Sequence, residues 1–259
     1  MEPFRLTIST MENKKASDTL IFCLGILLIA ILIQILGVAK GDSLVFPSVI
    51  EILRSFFHLL CIPKTYNLIF TTLFHLFVSL IVSSLIGIFL GVLEGLFPFC
   101  RRVFTPLMIM LRSIPMIVLV VIIMVLTNYG RVPYIAASMI LVPLISEATA
   151  EGFLRIDREL IDVYKLFTNF NIRVLFSVYL PLMAGYLKQA YVNAVGMGIK
   201  IIVTTEYLVQ TKNSLGKAIY SSAYFNEYAE IYAYALIMIL IVILLTKIPM
   251  LIMKKSLSK

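Results

Sequence analysis

The sequence of 259 residues contains no tryptophan, three cysteines, two histidines and only 14% charged residues. Lack of Trp removes one interfacial anchor, although 13 tyrosines remain to furnish an aromatic belt. Cys23, Cys61 and Cys100 show no paired spacing, and Cys23 lies inside an apolar run, which argues against a disulfide framework. With His58 and His75 the only histidines, no metal-type cluster can be assembled, and His75, on an apolar helical face, reads as packed rather than ligating. A Walker A pattern is absent: the nearest fragment, Leu215-Gly216-Lys217-Ala218, lacks the upstream Gly and the Ser or Thr after Lys. The chain therefore cannot hold ATP through a P-loop. No nucleophile–base pair is evident either, so the sequence argues against an enzyme and calls for no cofactor.

What is present is apolar surface. Hydrophobic residues make up 61% and the mean hydropathy is +1.01, against about 45–50% apolar for soluble domains. This composition defines a polytopic, all-α membrane protein. The net charge of +8 then reports topology rather than nucleic-acid binding. Six spans are expected, at residues 20–38, 68–93, 103–126, 132–150, 178–208 and 231–253, in a single domain. Residues 1–17 read as a polar cytoplasmic leader, and 40–65 as an external segment whose PSVIEILRSFF portion is amphipathic. Gly87, Gly91 and Gly95 form a small-residue ladder suited to tight helix packing. Glu94 with Arg101 and Arg102 marks a cytoplasmic turn, and Pro106 and Pro115 interrupt the third span. Most of the 22 Lys and Arg fall on the leader, the 101–102 turn, the 150–178 loop and the tail, which puts both termini in the cytoplasm.

The longest charged stretch runs from 156 to 181, between the fourth and fifth spans. Arg155, Asp157, Arg158, Glu159, Asp162, Lys165 and Arg173 exclude it from hydrocarbon, yet Leu160, Val163, Tyr164 and Phe167 share one helical face. A second short helix is expected from about Asn171, with Ile172, Leu175 and Val178 inward, after a turn at Thr168-Asn169. Asp162-Val163-Tyr164, Thr168 and Val178-Tyr179-Leu180-Pro181 match the spacing E-A-A-x3-G-x9-I-x-L-P. This pattern resembles the loop by which permease subunits of bacterial ABC importers dock their ATPase. Asp stands for Glu, Val and Tyr for the two Ala, and Thr168 for Gly. Further pieces resemble the nitrate/sulfonate/taurine type: Phe46-Pro47-Ser48, Leu111 to Met116 (LRSIPM), Gly196 to Lys200 (GMGIK), Thr205-Glu206 and Ser214-Leu215-Gly216.

The resemblance implies an importer permease fold in the bacterial inner membrane, with a cytoplasmic coupling helix at residues 150–178. It implies as partners cytoplasmic ABC ATPase subunits, an external solute-binding protein and a second permease subunit, expected as a homodimer, and no nucleic acid. Glu159, Asp162, Val163, Tyr164, Thr168 and Asn169 would form the ATPase contact. The solute would be nitrate, a sulfonate, taurine or a similar anion. Alternatives are a vitamin precursor such as a pyrimidine, or a membrane scaffold without transport.

One stripe carries the pathway reading. Gln189, Asn193, Gly196, Lys200 and Thr204 are spaced 4, 3, 4 and 4, which keeps them within an arc of about 80° on a helix. Ionisable groups in a membrane usually face a cavity or a partner. Lys200 either offers positive charge to a solute, or pairs with Glu147 or Glu206, or snorkels. Arg112, beside Ser113 and Pro115, is a second pathway candidate, with pairing to Glu147 as its structural alternative.

Overall fold

The computed structural model describes residues 24, 25, 28, 31, 35, 47–156 and 172–256. Residues 24, 25, 28, 31 and 35 are helical, and the rest of the expected 20–38 span lies outside the described residues. The helices are α1 (Val49–Cys61), α2 (Pro63–Leu96), α3 (Pro98–Ser113), α4 (Met116–Leu126), α5 (Val132–Leu154), α6 (Leu180–Val209), α7 (Leu215–Tyr224) and α8 (Tyr228–Ser256). Two compact units can be told apart, one drawn from residues 1–61 and 222–235, the other from 62–221 and 236–259.

In the first unit α1 starts with a capping box. Ser48 N–H donates to Glu51 Oε2 at 2.8 Å and Glu51 N–H to Ser48 Oγ at 3.3 Å, so two otherwise unpaired donors are satisfied reciprocally. In this segment Ile52 and Leu59 are buried, while the apolar Ile50, Leu53 and Phe57 are exposed. The turn into α8 places Asn226 at φ 60°, and Ser222 Oγ donates to Glu230 Oε2 at 2.9 Å. The Glu230 charge beside Glu227 holds the Glu227 carboxyl above its usual range.

The second unit is organised on α2, α5 and α6, with α5 packed against both of the others. Gly87, Gly91 and Gly95 are the reason α2 can approach α5 so closely. A Cβ at Gly91 would stand 2.5 Å from the Ser146 carbonyl and 2.5 Å from Thr149 Cβ; one at Gly95 would stand 2.7 Å from the Phe153 ring. The ladder is thus used within the chain. Gly198 does the same for α6, where a Cβ would come within 2.6 Å of Leu76. The opposite side of α2 is an apolar ridge: Tyr66, Phe70, Phe74, Phe77, Ile81, Leu85 and Phe89 are exposed at steps of three and four residues, as expected of a lipid-facing stripe.

The third span departs from expectation. Pro106 lies inside α3 without breaking it. The interruption falls at Ile114-Pro115, where Ile114 is extended (φ −67°, ψ 124°), the conformation that a following proline favours. There α3 and α4 meet at a 97° bend, far beyond a kink. Leu119, Val120 and Ile123 of α4 pack with Val132 and Ala136 of α5, which holds the second half in place. Glu94 is also not part of a solvated turn: it is buried within α2 and accepts a hydrogen bond from Ser146 Oγ at 3.0 Å. Among the described residues four helices are long and apolar enough to cross a membrane, or five if the bent pair counts as one crossing.

Around the charged loop, residues 157–171 lie outside the described residues. Beyond it, Ile172–Val174 form a helical turn and Leu175–Tyr179 a π-type turn, in which Leu180 N–H bonds to the Leu175 carbonyl before Pro181 enters the first turn of α6. The loop's two ends meet in one cluster: Phe153, Ile156, Tyr179, Met183 and Leu187 are buried together, with Leu175 and Val178 packed against them. Phe153 and Tyr179 stack at 4.6 Å and 11°.

Gly91→Ala would force the α2–α5 contact apart, a loss of ~1–3 kcal/mol by overpacking. Gly185→Ala meets nothing within 4 Å and should raise stability slightly, by ~0.5–1 kcal/mol of helix propensity. Thermal denaturation of the two variants in detergent checks this; equal melting temperatures would refute the packing role of the ladder.

Candidate translocation site

Helix α6 presents two unlike faces. Met183, Leu187, Ala190, Ala194, Ile201 and Ile202 are buried. Gln189, Asn193, Lys200 and Thr204 are exposed, and Gly196 is half-buried among them. The polar stripe therefore points away from the unit's own core. Within it, Gln189 Nε2 donates to Asn193 Oδ1 at 3.3 Å and Thr204 Oγ1 to the Lys200 carbonyl at 2.8 Å. Lys200 forms no ion pair among the described residues, because both carboxylates considered for it are engaged elsewhere: Glu147 with Arg112 and Glu206 with His75. A lysine and two amides facing hydrocarbon would be costly, so this face needs protein or water against it.

Arg112 sits at the end of α3, one residue before Ser113 and the break. Its Nη2 donates to the Pro143 carbonyl at 3.0 Å and to Glu147 Oε2. Its partners are thus on α5 and not on the α6 stripe, and the pairing with Glu147 weighed for it is present. Ser113 Oγ turns back to the Ile109 carbonyl at 2.8 Å. Beside the pair lies a cavity of about 140 Å³, lined by Glu94, Arg101, Arg112, Glu147 and Glu151 among others. Glu94 is its buried wall, while Arg101 and Glu151 stand exposed. Among the described residues no group of His, Cys, Asp and Glu could hold a metal ion.

The six residues expected to contact an ATPase, Glu159, Asp162, Val163, Tyr164, Thr168 and Asn169, fall outside the described residues. Their anchors do not, since Phe153 and Tyr179 bracket the segment. Sequence reasoning did not assemble a second polar cluster. Glu206 is fully buried, with His75 Nδ1 2.6 Å from its Oε1 and Thr72 Oγ1 donating to its Oε2 at 2.9 Å. The available signal was that His75 and Glu206 are both ionisable residues on otherwise apolar helices, which hydrocarbon forces to find partners.

Among the described residues the chain is a set of apolar helices with a broken third segment and an exposed polar face on α6, as a membrane component would have. The family model for the binding-protein-dependent transport system inner membrane component matches residues 83–256. The chain belongs to this family. Comparison with curated protein sequences finds no match. Among solved structures, the chain is similar in fold to one from the MetNI methionine ABC transporter in inward facing conformations. That match has a TM-score of 0.57 and 17% identity, over 69% of this chain and 88% of the other. The protein is therefore a multi-pass inner-membrane permease of an ABC importer, not an enzyme, and membership implies ATPase and binding-protein partners.

Arg112 and Glu147 keep side-chain exposures of 38% and 54%. If water fills the space around them, a double-mutant cycle of Arg112→Ala and Glu147→Ala should give a coupling of at most ~1 kcal/mol. Coupling of ~3 kcal/mol or more in thermal denaturation would place the pair in hydrocarbon and rule out a wet cavity there.

Proposed function

We propose that the exposed stripe of α6 lines the translocation pathway for a small anion, such as nitrate, a sulfonate or taurine, released by the binding protein. The observation that carries this reading is Lys200: an exposed cation without an ion pair among the described residues, on the one polar face of a long apolar helix. The described residues leave that face uncovered, and a second permease subunit, in the simplest case a copy of this chain, would close the pathway against it. Arg112, locked to Glu147 and the Pro143 carbonyl, acts at the break of the third segment and would enter the pathway only if that pair opened.

In this reading both termini and residues 150–178 lie on the cytoplasmic side, as the basic residues direct. Glu159, Asp162, Val163, Tyr164, Thr168 and Asn169 dock on the ATPase, the apolar face filling a groove and the charges setting its rim. ATP-driven closure of the ATPase pair would then move the loop. The stacked Phe153–Tyr179 anchor carries that motion into α5 and α6.

Lys200→Ala should reduce uptake of a labelled anion by ~10-fold or more, the loss of one favourable charge contact in a low-dielectric site. Unchanged uptake would make Lys200 structural and favour an uncharged solute such as a pyrimidine precursor. Asp162→Arg with Tyr164→Arg should abolish co-purification of the ATPase from native membranes while the chain still inserts. Retention of the ATPase by that variant would sink the docking assignment.

A further inference from the structure

The sequence pieces Thr205-Glu206 and Ser214-Leu215-Gly216 have no part in the pathway just described, yet the fold brings them together. Glu206, near the end of α6, is fully buried. Both its oxygens are satisfied: Oε1 faces His75 Nδ1 at 2.6 Å, and Oε2 accepts from Thr72 Oγ1 at 2.9 Å and from Gly216 N–H at 3.1 Å. Thr72 Oγ1 in turn accepts from Leu215 N–H at 3.0 Å. His75 lies edge-on to Tyr134 at 4.7 Å, and Ser79 Oγ donates to the His75 carbonyl at 2.8 Å. One carboxylate therefore links α2, α6 and the first turn of α7.

The start of α7 is built around this contact. Its first donors would be orphans in any helix. Here Leu215 N–H and Gly216 N–H end on Thr72 and Glu206, while Lys217 N–H bonds to Ser214 Oγ at 3.2 Å and Ala218 N–H to the Ser214 carbonyl at 3.1 Å. Ser214 is thus the N-cap, and Leu215 is buried beside it. Position 216 must be glycine for steric reasons: a Cβ there would lie 2.4 Å from Glu206 Cβ, 2.5 Å from Tyr207 N and 2.6 Å from the Val203 carbonyl. The link from α6 is short and sharply turned, with Gln210 and Asn213 both at φ 55°. An apolar contact would hold α7 without fixing its register. A buried polar cluster gains little stability over such a contact, but its directional bonds admit one arrangement.

We propose that Glu206 is a positioning residue of the transport cycle, a clasp that makes the 211–221 segment move as one body with α2 and α6. This rests on the proposed topology, in which that segment faces the binding protein's side of the membrane. Docking of the loaded binding protein on that side would then be transmitted directly to α6, the helix that bears the pathway stripe. The clasp works through hydrogen-bond geometry around Glu206, so an amide of the same shape preserves it, with its oxygen accepting from Thr72 Oγ1 and Gly216 N–H and its NH2 donating to His75 Nδ1, whereas removal of the group or a Cβ at 216 opens it.

The test has two readouts. Hydrogen exchange on the purified full chain needs neither solute nor partner. Glu206→Ala and Gly216→Ala should each raise exchange of the 211–221 amides by ~10-fold or more, and Glu206→Gln should stay within ~3-fold of the wild type. Wild-type exchange in Gly216→Ala or Glu206→Ala, or fast exchange in Glu206→Gln, overturns the clasp. Gly216→Ala retains both Glu206 and His75 and keeps the test open if Glu206→Ala fails to fold. The second readout is uptake of labelled taurine by whole cells. The opened variants should lose maximal velocity by ~10-fold or more at unchanged KM, which the binding protein sets, with Glu206→Gln rescuing. Wild-type velocity in an opened variant reduces Glu206 to a structural role and refutes the proposal. If the wild type itself imports no taurine, the exchange readout alone decides the clasp, and the failure belongs to the proposed solute.

Discussion

Everything in the larger unit depends on how closely two backbones can approach. In a bilayer the usual hydrophobic drive between helices is missing, and packing distance takes its place. Gly87, Gly91 and Gly95 bring α2 onto Ile145, Ser146, Thr149 and Phe153 of α5, with no side chain between. That contact fixes the position of α5, against which α4 and α6 are then laid. It also makes the buried Glu94–Ser146 hydrogen bond possible, because the two side chains are short and could not meet across a wider gap.

A second constraint follows from the first. Polar groups at membrane depth must be answered inside the protein or by an aqueous space. Most are answered here: Glu94 by Ser146, Arg112 by Glu147 and the Pro143 carbonyl, Glu206 by His75, Thr72 and the start of α7. Among the described residues, the hydrogen bonds of the stripe from Gln189 to Thr204 stay within α6. The contrast between answered and unanswered groups distinguishes Arg112 from Lys200, which look equivalent as letters in a sequence.

Periodicity and composition made the apolar bundle legible, including the small-residue ladder and the polar stripe, because both are properties of a single helix. What escaped were relations between helices. Proline at 115 announces a lost hydrogen bond, but the 97° bend is set by where Leu119, Val120 and Ile123 find their pocket on α5. Glu94, followed closely by Pro98 and two arginines, reads as a turn charge until Ser146 is seen beside it. His75 and Glu206 are 131 positions apart, and no local pattern joins them. The family was legible for another reason: the spacing around 162–181 and the ordered short pieces survive although single residues differ, and the matched region, 83–256, contains most of them.

The length of α2 has a consequence for depth. Its 34 residues extend ~51 Å at 1.5 Å per residue, far more than the ~30 Å of hydrocarbon. The stretch of its exposed ridge from Phe70 to Phe89 covers ~29 Å, which matches that thickness closely. The helix thus serves as a ruler: a hydrocarbon layer laid on this ridge would begin near Phe70 and end near Phe89, with about two turns standing proud at either end. On this scale Thr72 and His75 sit just inside one boundary, while Gly91, Glu94 and the cavity beside Arg101 sit just past the other. On this ruler the cavity charges fall beyond the ridge, and the Glu206 cluster, enclosed by protein, falls within its span.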